Sequence, residues 1–340
     1  MKAQLGTPPP SRKRSRTLFV LANTALVSCV VAPFIGPTPI RWDAVFDSTQ
    51  PFRENIDAQI FFIARLPRAL AGALVGGALA SAGVVLQALH RNPLATPFTL
   101  GVSSGASLGA LLVIVLGTPI SLRVLPVVPL ASFIGALSAV GIVYGLSRYR
   151  RRGLSTTVLL LAGVTLNSLF SAIIMFVQYL ADPNQTFQAV RYLMGNLNVS
   201  GYSPILWSLP LLLVASCAFA WLPTSLNLLS VGTESAATRG VDVTKTQRIA
   251  FLSASLATGA AVSLGGPIGF VGIVVPHMVR LMVGADHRAV LPASAFMGAA
   301  FLVICDVAAR TLMAPQELPV GVITAMLGGP FFLWLLVRKV

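Results

Sequence analysis

Few residues of this chain have the types and spacing that catalysis or metal binding requires. The three histidines, His90, His277 and His287, lie in different segments, with no His-Glu pair and no Cys at metal-ligand spacing. No lysine follows a glycine, so the chain lacks the Gly-x-x-x-x-Gly-Lys loop that holds nucleotide phosphates. We therefore expect no catalytic residue, no metal site and no cofactor in this chain.

Asp306 and Arg310 are the clearest ionisable residues within an apolar stretch. At positions i and i+4 of a helix they share one face and neutralise each other. Ionisable groups are costly inside a membrane and are typical of proton or ion pathways, but a structural pair near the outer end of a helix is an equally good interpretation. Because such groups are so scarce here, we expect the energy for any transport to come from a partner protein.

The elements that position these residues are hydrophobic. Of 340 residues, 55% are hydrophobic and only 10% are charged, whereas soluble domains carry about 25% charged residues. Each bilayer crossing takes about 20 apolar residues, and ten stretches qualify: 18–35, 69–89, 98–116, 125–146, 158–180, 205–222, 249–264, 268–283, 289–312 and 320–337. We predict an all-α, polytopic membrane bundle of about ten transmembrane helices, or nine if the seventh and eighth stretches form one re-entrant element.

The net charge of +14 reflects membrane topology rather than binding to nucleic acid. With a cytoplasmic N-terminus, most of the 24 Lys and Arg residues fall in cytoplasmic segments, including the tail 1–17 and the cluster 148–152. This asymmetry is the positive-inside bias of membrane proteins. We therefore predict that both termini are cytoplasmic, which requires an even number of spans.

Two short turns at the predicted cytoplasmic end are polar and rigid. Residues 92–97 read Asn-Pro-Leu-Ala-Thr-Pro, and the two prolines stop the flanking helices. Residues 154–157 read Leu-Ser-Thr-Thr and follow the arginine cluster. Two such turns at one end of a bundle are suited to closing a central pathway.

The longest predicted cytoplasmic connection is the polar segment 225–248. Gly232 and Gly240 bound a predicted short helix within it. Because so short a helix is unstable alone in water, it must dock either on the bundle of this chain or on a cytoplasmic partner. Long loops in a tightly connected chain are often functional, which favours the partner.

The stretch 65–109 is dense in small residues. Gly72 with Gly76, and Gly101 with Gly105 and Gly109, form small-xxx-small faces that let helices approach closely. Because many membrane proteins have such faces, they predict close helix packing and no particular function.

Several motifs, in order along essentially the whole chain, resemble those of one transporter family. They are Arg65-Leu66-Pro67-Arg68, Asn92-Pro93-Leu94-Ala95, Leu100-Gly101-Val102-Ser103-Ser104-Gly105, Leu161-Ala162-Gly163, Arg191-Tyr192-Leu193-Met194-Gly195, Gly269-Phe270-Val271-Gly272 with Pro276-His277, Asp286-His287-Arg288 and Glu317-Leu318-Pro319-Val320-Gly321. The chain resembles the permeases of the vitamin B12 and iron-chelate importers, which are ten-helix subunits of type II ABC importers.

The resemblance implies a single permease domain over residues 1–340 in the bacterial cytoplasmic (inner) membrane. It implies a homodimer around the substrate pathway, two copies of a cytoplasmic ABC ATPase that binds ATP and Mg, and a periplasmic or lipid-anchored substrate-binding protein. The permease itself is not an enzyme. In this family the cytoplasmic gate corresponds to Asn92, Leu94, Ser155 and Thr156. The coupling loop that seats in the ATPase, within 225–248, corresponds to Gly232, Glu234, Ala236 and Gly240.

The family also implies outer-face arginines that pair with glutamates of the binding protein. The corresponding residues are Arg65, Arg68 and Arg310. Exposed arginines suit a reversible encounter that is steered by charge, whereas simple snorkelling at a helix entrance is the alternative interpretation for Arg65 and Arg68.

Two other function classes fit a polytopic chain. An ion-coupled secondary carrier is disfavoured by the scarcity of intramembrane carboxylates, and a lipid-modifying enzyme by the absence of a polar catalytic cluster in the sequence. For an importer the resemblance implies an iron chelate as substrate. Ferric siderophores are the expected substrate because they are the most frequent substrates in this family, and haem and cobalamin are the alternatives.

Overall fold

The structure is a computed structural model that describes residues 11–47, 51–116, 127–149, 156–199 and 201–339. Regular structure in these ranges is entirely helical. The α-helices are α1 (Ser11–Val31), α2 (Trp42–Val45), α3 (Ile56–Gln59), α4 (Leu66–His90), α5 (Val102–Leu116), α6 (Val127–Tyr149), α7 (Thr156–Leu180), α8 (Pro183–Leu193), α9 (Ser203–Trp221), α10 (Pro223–Val231), α11 (Thr233–Thr238), α12 (Val243–Gly265), α13 (Val271–Val283), α14 (His287–Thr311) and α15 (Val320–Lys339).

Each of the ten predicted apolar stretches overlaps one apolar helix. Seven helical spans in the described residues are long and apolar enough to cross a membrane, and three apolar helices are shorter: Val102–Leu116, Val271–Val283 and Val320–Leu335. The seventh and eighth stretches are separate helices, because the backbone between α12 and α13 is non-helical and Gly266 has a positive φ of 66°. The all-α membrane bundle is therefore confirmed.

Helix α5 begins later than the sequence pattern predicts. A single 3-10 turn, Pro97–Leu100, precedes it and is capped by Thr96, which exchanges hydrogen bonds with Thr99. Gly101 then adopts a left-handed φ of 74°, which glycine reaches without steric cost. As a result α5 starts inside the bundle beside Gly163 of α7, rather than at its end.

The core of the bundle is built on α4 and α12. About 72% of the span that contains α4 and 78% of the span of α12 are buried, compared with 28% for α7. Helix α4 packs against α12, α13 and α14. Lipid offers no hydrophobic driving force between helices, so these contacts depend on close van der Waals packing.

Glycines make the closest of these contacts possible. A Cβ atom on Gly83 would lie 2.1 Å from the carbonyl oxygen of Gly272 in α13, and one on Gly76 would lie 2.2 Å from the carbonyl oxygen of Gly298 in α14. The close helix packing predicted for α4 is therefore confirmed, because its backbone touches the backbones of α13 and α14.

The segment 225–248 is more helical than a loop. It comprises most of α10, the six-residue helix α11 and the start of α12, so only short links around Gly232 and Gly240 are non-helical. The charged residues Glu234, Lys245 and Arg248 lie on exposed helix faces, which tolerate them. The short helix between Gly232 and Gly240 is confirmed.

We predict that Gly83→Ala lowers the stability of the detergent-solubilised protein by about 1–3 kcal/mol, because the methyl group forces α4 and α13 apart. The matched control is Gly141→Ala in α6, where an added Cβ meets no heavy atom within 4 Å. There alanine should be neutral or stabilising by up to about 1 kcal/mol. Thermal loss of the monodisperse size-exclusion peak measures both, and equal midpoints would contradict the close contact.

Candidate functional site

A cluster of charged side chains lies at the end of the bundle opposite the start of α1. Arg68 Nε lies 2.9 Å from Asp306 Oδ1, and Arg68 Nη1 lies 2.7 Å from Glu317 Oε2. Arg310 Nε lies 3.5 Å from Asp306 Oδ2. The predicted pair of Asp306 and Arg310 is thus confirmed, but Asp306 also binds Arg68 of a different helix, and Glu317 completes a neutral group of four charges.

The expectation that the three docking arginines are exposed is wrong. Arg65, Arg68 and Arg310 are only 6%, 7% and 2% exposed. A cation within an apolar bundle is tolerated only when carboxylates and hydrogen-bond acceptors surround it, and this chain supplies them itself. No contact of the described residues tests a docking role, which stays a prediction.

Two of these arginines also fasten the segment that follows α1. Arg310 Nη2 donates to the carbonyl oxygen of Ala32 over 2.9 Å. Arg65 donates to the carbonyl oxygens of Pro33 and Thr38, and its guanidinium lies against Gly36, where a side chain would collide with it. The arginines therefore join the end of α1 to α4 and α14.

The turn of the predicted gate lies at the other end, where α4 ends. Arg91 ends α4 in a left-handed conformation with a φ of 48°, and Asn92 Oδ1 accepts a hydrogen bond from the N–H of Leu94 over 2.9 Å. Leu94 is 44% exposed. Ser155 lies outside the described residues and Thr156 is the first residue of α7, so the structure does not test whether the two gate turns meet.

Arg91 connects this turn to α10. Its Nε donates to the carbonyl oxygen of Leu229 over 3.0 Å. Leu229 lies three residues before Gly232, where α11 follows. Sequence reasoning missed this contact because it joins segments that are far apart in the chain.

Helix α11 is anchored on one side and free on the other. Ala236 is fully buried, whereas Glu234 is exposed. The N–H of Ala236 donates to Gly232 O, and Gly240, with a φ of 81°, turns the chain so that Val241 N–H donates back to Ala236 O over 3.0 Å. The helix therefore docks on its own bundle and presents a second, polar face outward.

A second polar cluster near the same end was not predicted. Asp286 accepts hydrogen bonds from Arg14 over 3.1 Å and from the Asn227 amide over 2.8 Å. Burial acts to raise the pKa of Asp286, but the hydrogen bonds from Asn227 and the Arg288 N–H, with the charge of Arg14, outweigh it and lower the pKa. The carboxylate stays ionised and ties α1 and α10 to α14. An Asp directly before a helical stretch is an N-cap signal that would have suggested it.

Residues 24–338 match the FecCD transport family. The chain belongs to this family. It is 43% identical over 281 residues to the Hemin transport system permease protein HmuU of Yersinia pestis, covering 81% of this chain and 82% of that one. It is 38% identical to the Vitamin B12 import system permease protein BtuC of Vibrio vulnificus, covering 95% and 94%, and 36% identical to the Fe(3+) dicitrate transport system permease protein FecD of Escherichia coli, covering 94% and 98%.

The fold agrees with this assignment. A solved metal-chelate type ABC transporter in an inward-facing conformation superposes with a TM-score of 0.79 at 31% identity, covering 96% of this chain and all of that one. The chain is accordingly a multi-pass membrane permease subunit of an ABC importer, and its family works with an ATPase and a binding protein.

We predict that Arg68→Met and Asp306→Leu each destabilise the protein by about 3–5 kcal/mol, because each leaves one uncompensated charge in the buried group of four. The double variant should lose less than the sum of the two. The control is Arg41→Met, which breaks a 3.6 Å ion pair with Asp57 in which the Arg41 side chain is 78% exposed. That exposed pair contributes at most about 1 kcal/mol. Additive losses in thermal unfolding would contradict direct coupling.

Proposed function

We propose that this permease moves an iron chelate, with ferric siderophores first and haem and cobalamin as alternatives, from the periplasm or cell exterior to the cytoplasm. A separate ATPase supplies the energy, and this chain performs no covalent chemistry. The observation that carries the proposal is the contact from α11 through Leu229 to Arg91 and the Asn92 turn. Through this contact, movement of α11 by an ATPase would be transmitted directly to the predicted gate.

The proposed orientation places α11 in the cytoplasm of a bacterium, at the inner membrane. The hydrogen bonds of Arg14 and Arg91 bring the basic start of α1, the end of α4 and α10 to one end of the bundle. An excess of Lys and Arg on one side is typical of the cytoplasmic face. Ten crossings would return the C-terminus to that same side.

We further propose a homodimer, with two copies of the ATPase below it and a periplasmic or lipid-anchored binding protein above it. Helix α7 supports a partner, because its exposed face carries the amide of Asn167 beside large side chains such as Met175 (69%) and Tyr179 (86%), and hydrocarbon does not solvate an amide. In the dimer α7 would face the pathway, and Asn92, Leu94, Ser155 and Thr156 would form its cytoplasmic gate.

Coupling would work through a short rigid path. Gly232, Glu234, Ala236 and Gly240 shape α11, whose buried Ala236 resists sliding on the bundle. A push on the exposed face is then passed to α10 and, through the Arg91 hydrogen bond, to the turn at Asn92.

We predict that Arg91→Ala lowers transport per ATP hydrolysed by roughly tenfold, because a hydrogen bond from a charged group contributes about 1.5–3 kcal/mol. Proteoliposomes with the full transporter measure both rates. The control is Arg248→Ala in α12, an exposed arginine of the same segment. A wild-type ratio for Arg91→Ala would contradict the route from α11 to the gate.

Docking through Arg65, Arg68 and Arg310 would require an exchange of carboxylates. The Glu317 side chain is 32% exposed, whereas that of Arg68 is 9% exposed. A glutamate of the binding protein could therefore reach Arg68 only by replacing Glu317.

Under this proposal Glu317→Gln should lower the concentration of binding protein at half-maximal uptake by about twofold to tenfold, since a charge-assisted bond that competes with docking is removed. Glu54→Gln, at an exposed residue of the segment between α1 and α4, is the control. A higher half-maximal concentration for Glu317→Gln would contradict the exchange.

The substrate class is tested by ATP-dependent uptake into proteoliposomes with a labelled ferric siderophore, haemin and cyanocobalamin in parallel. Uptake that follows an ion gradient and persists without the ATPase would overturn the proposal in favour of a secondary carrier.

A further inference from the structure

A groove between α5 and α7 carries polar side chains that neither the gate nor the coupling path uses. Its volume is about 330 Å³. Six uncharged polar residues line it, and we call them the polar groove: Ser103, Ser104, Ser107, Asn167, Ser171 and Gln178.

The α7 side of the groove is a stripe along one helix face. Asn167, Ser171 and Gln178 follow each other at spacings of four and seven residues, which places them one above the other. Asn167 is exposed, and the part of the chain that the structure describes offers no hydrogen bond to its side chain or to that of Gln178. An amide facing hydrocarbon without a partner is expensive, so this face requires water, a ligand or another chain against it.

The α5 side is the start of a helix that lies deep in the bundle. Ser103 is only 2% exposed, and within the described residues its hydroxyl has no hydrogen-bond partner. The first N–H groups of any α-helix lack intrahelical acceptors and carry partial positive charge. Ser103 and Ser104 stand in this first turn. The groove thus combines a buried unpaired hydroxyl with the positive end of a helix.

The chemistry of the lining restricts the ligand. Among the residues that line the groove none is charged and none is histidine; the others are Phe98, Ile174, Met175, Leu193 and Pro267. Serine hydroxyls, amide groups and helix N–H groups donate hydrogen bonds well to carbonyl and carboxylate oxygens. Without a fixed opposite charge these bonds stay weak, and a transport pathway needs contacts weak enough for the substrate to leave.

We propose that the polar groove is a substrate-contact site of the translocation pathway, which holds the oxygen-rich edge of the transported chelate through neutral hydrogen-bond donors. The proposal rests on the importer function proposed above and names the chemistry by which the pathway recognises its cargo. A volume of about 330 Å³ is at the lower limit for drug-sized ligands. The groove therefore receives one arm or edge of the substrate, with its apolar residues flanking that edge.

The first test is transport by the assembled importer in proteoliposomes, with a labelled ferric siderophore, haemin and cyanocobalamin as probes. Asn167→Leu, Ser171→Ala and Ser103→Ala should each lower the transport of the accepted probe, per ATP hydrolysed, by roughly threefold to tenfold. The matched controls are Thr165→Val and Ser168→Ala on the same helix. Their hydroxyls bond back to Leu161 O and Val164 O and do not line the groove, so they should transport like the wild type.

The second test measures contact directly. Asn167→Cys and Thr165→Cys are made in a Cys217→Ser background, because Cys217 is exposed, and are labelled with a charged methanethiosulfonate reagent. Saturation with the accepted probe should slow labelling at position 167 severalfold and leave position 165 unchanged.

Two results would overturn the groove alone. One is transport by Asn167→Leu and Ser103→Ala at the control level in a complex whose wild type carries a probe. The other is a cysteine at position 167 that stays unreactive with and without probe, which would assign the groove to a contact between permease copies. A wild-type complex that transports none of the three probes would overturn the groove together with the proposed substrate class.

Discussion

Hydrocarbon does not solvate charge, and this constraint determines where the polar side chains of the permease lie. Arg68, Asp306 and Arg310 are almost fully buried, and they persist there because each is held by an opposite charge or a carbonyl oxygen. The cluster needs three separate parts of the chain, since Arg68 is on α4, Asp306 on α14 and Glu317 in the link to α15. Its formation therefore requires that these helices be packed in one arrangement.

The same constraint explains what could be predicted from the sequence. The ten helices depend on runs of apolar residues, which are local, and the pair of Asp306 and Arg310 depends on a spacing of four. Arg68 pairs with Asp306, which is 238 residues away in the sequence, and no local sequence pattern predicts such a pairing. The three arginines therefore suggested an exposed docking face, whereas the structure places them inside. The polarity of the segment 225–248 predicts a long connection with one short helix, whereas most of it is helical, because polarity alone does not distinguish a loop from a helix with an exposed face.

The polar groups inside the bundle are of two kinds, charged and neutral, and the two kinds are suited to different functions. The charged groups are paired within the chain and link helices, so they are unsuited to meet a moving substrate without breaking the packing. Of the neutral groups of the polar groove, Ser103 on α5 and the amides of Asn167 and Gln178 on α7 have no hydrogen-bond partner among the described residues, and only 28% of the span of α7 is buried. A pathway that substrates enter and leave requires this second kind, because neutral donors hold an oxygen atom without trapping it. A charge at Asn167 would bind more tightly and release more slowly.

Helix α4 connects the two ends where partners are proposed to act. Its 25 residues span about 37 Å, with Arg68 in its first turn and Arg91 directly after its end. Arg68 ties the N-terminal end of α4 to α14 and to Glu317, and Arg91 ties its C-terminal end to α10. The contacts at Gly76 and Gly83 leave no room for α4 to slide between α13 and α14, so we expect the three helices to move as one body. Displacement of α11 by an ATPase would then reach the cluster around Arg68 by rotation of α4, α13 and α14 together rather than by bending of α4. A binding protein that contacts the N-terminal end of α4 would in turn change the position of the Asn92 turn at its C-terminal end.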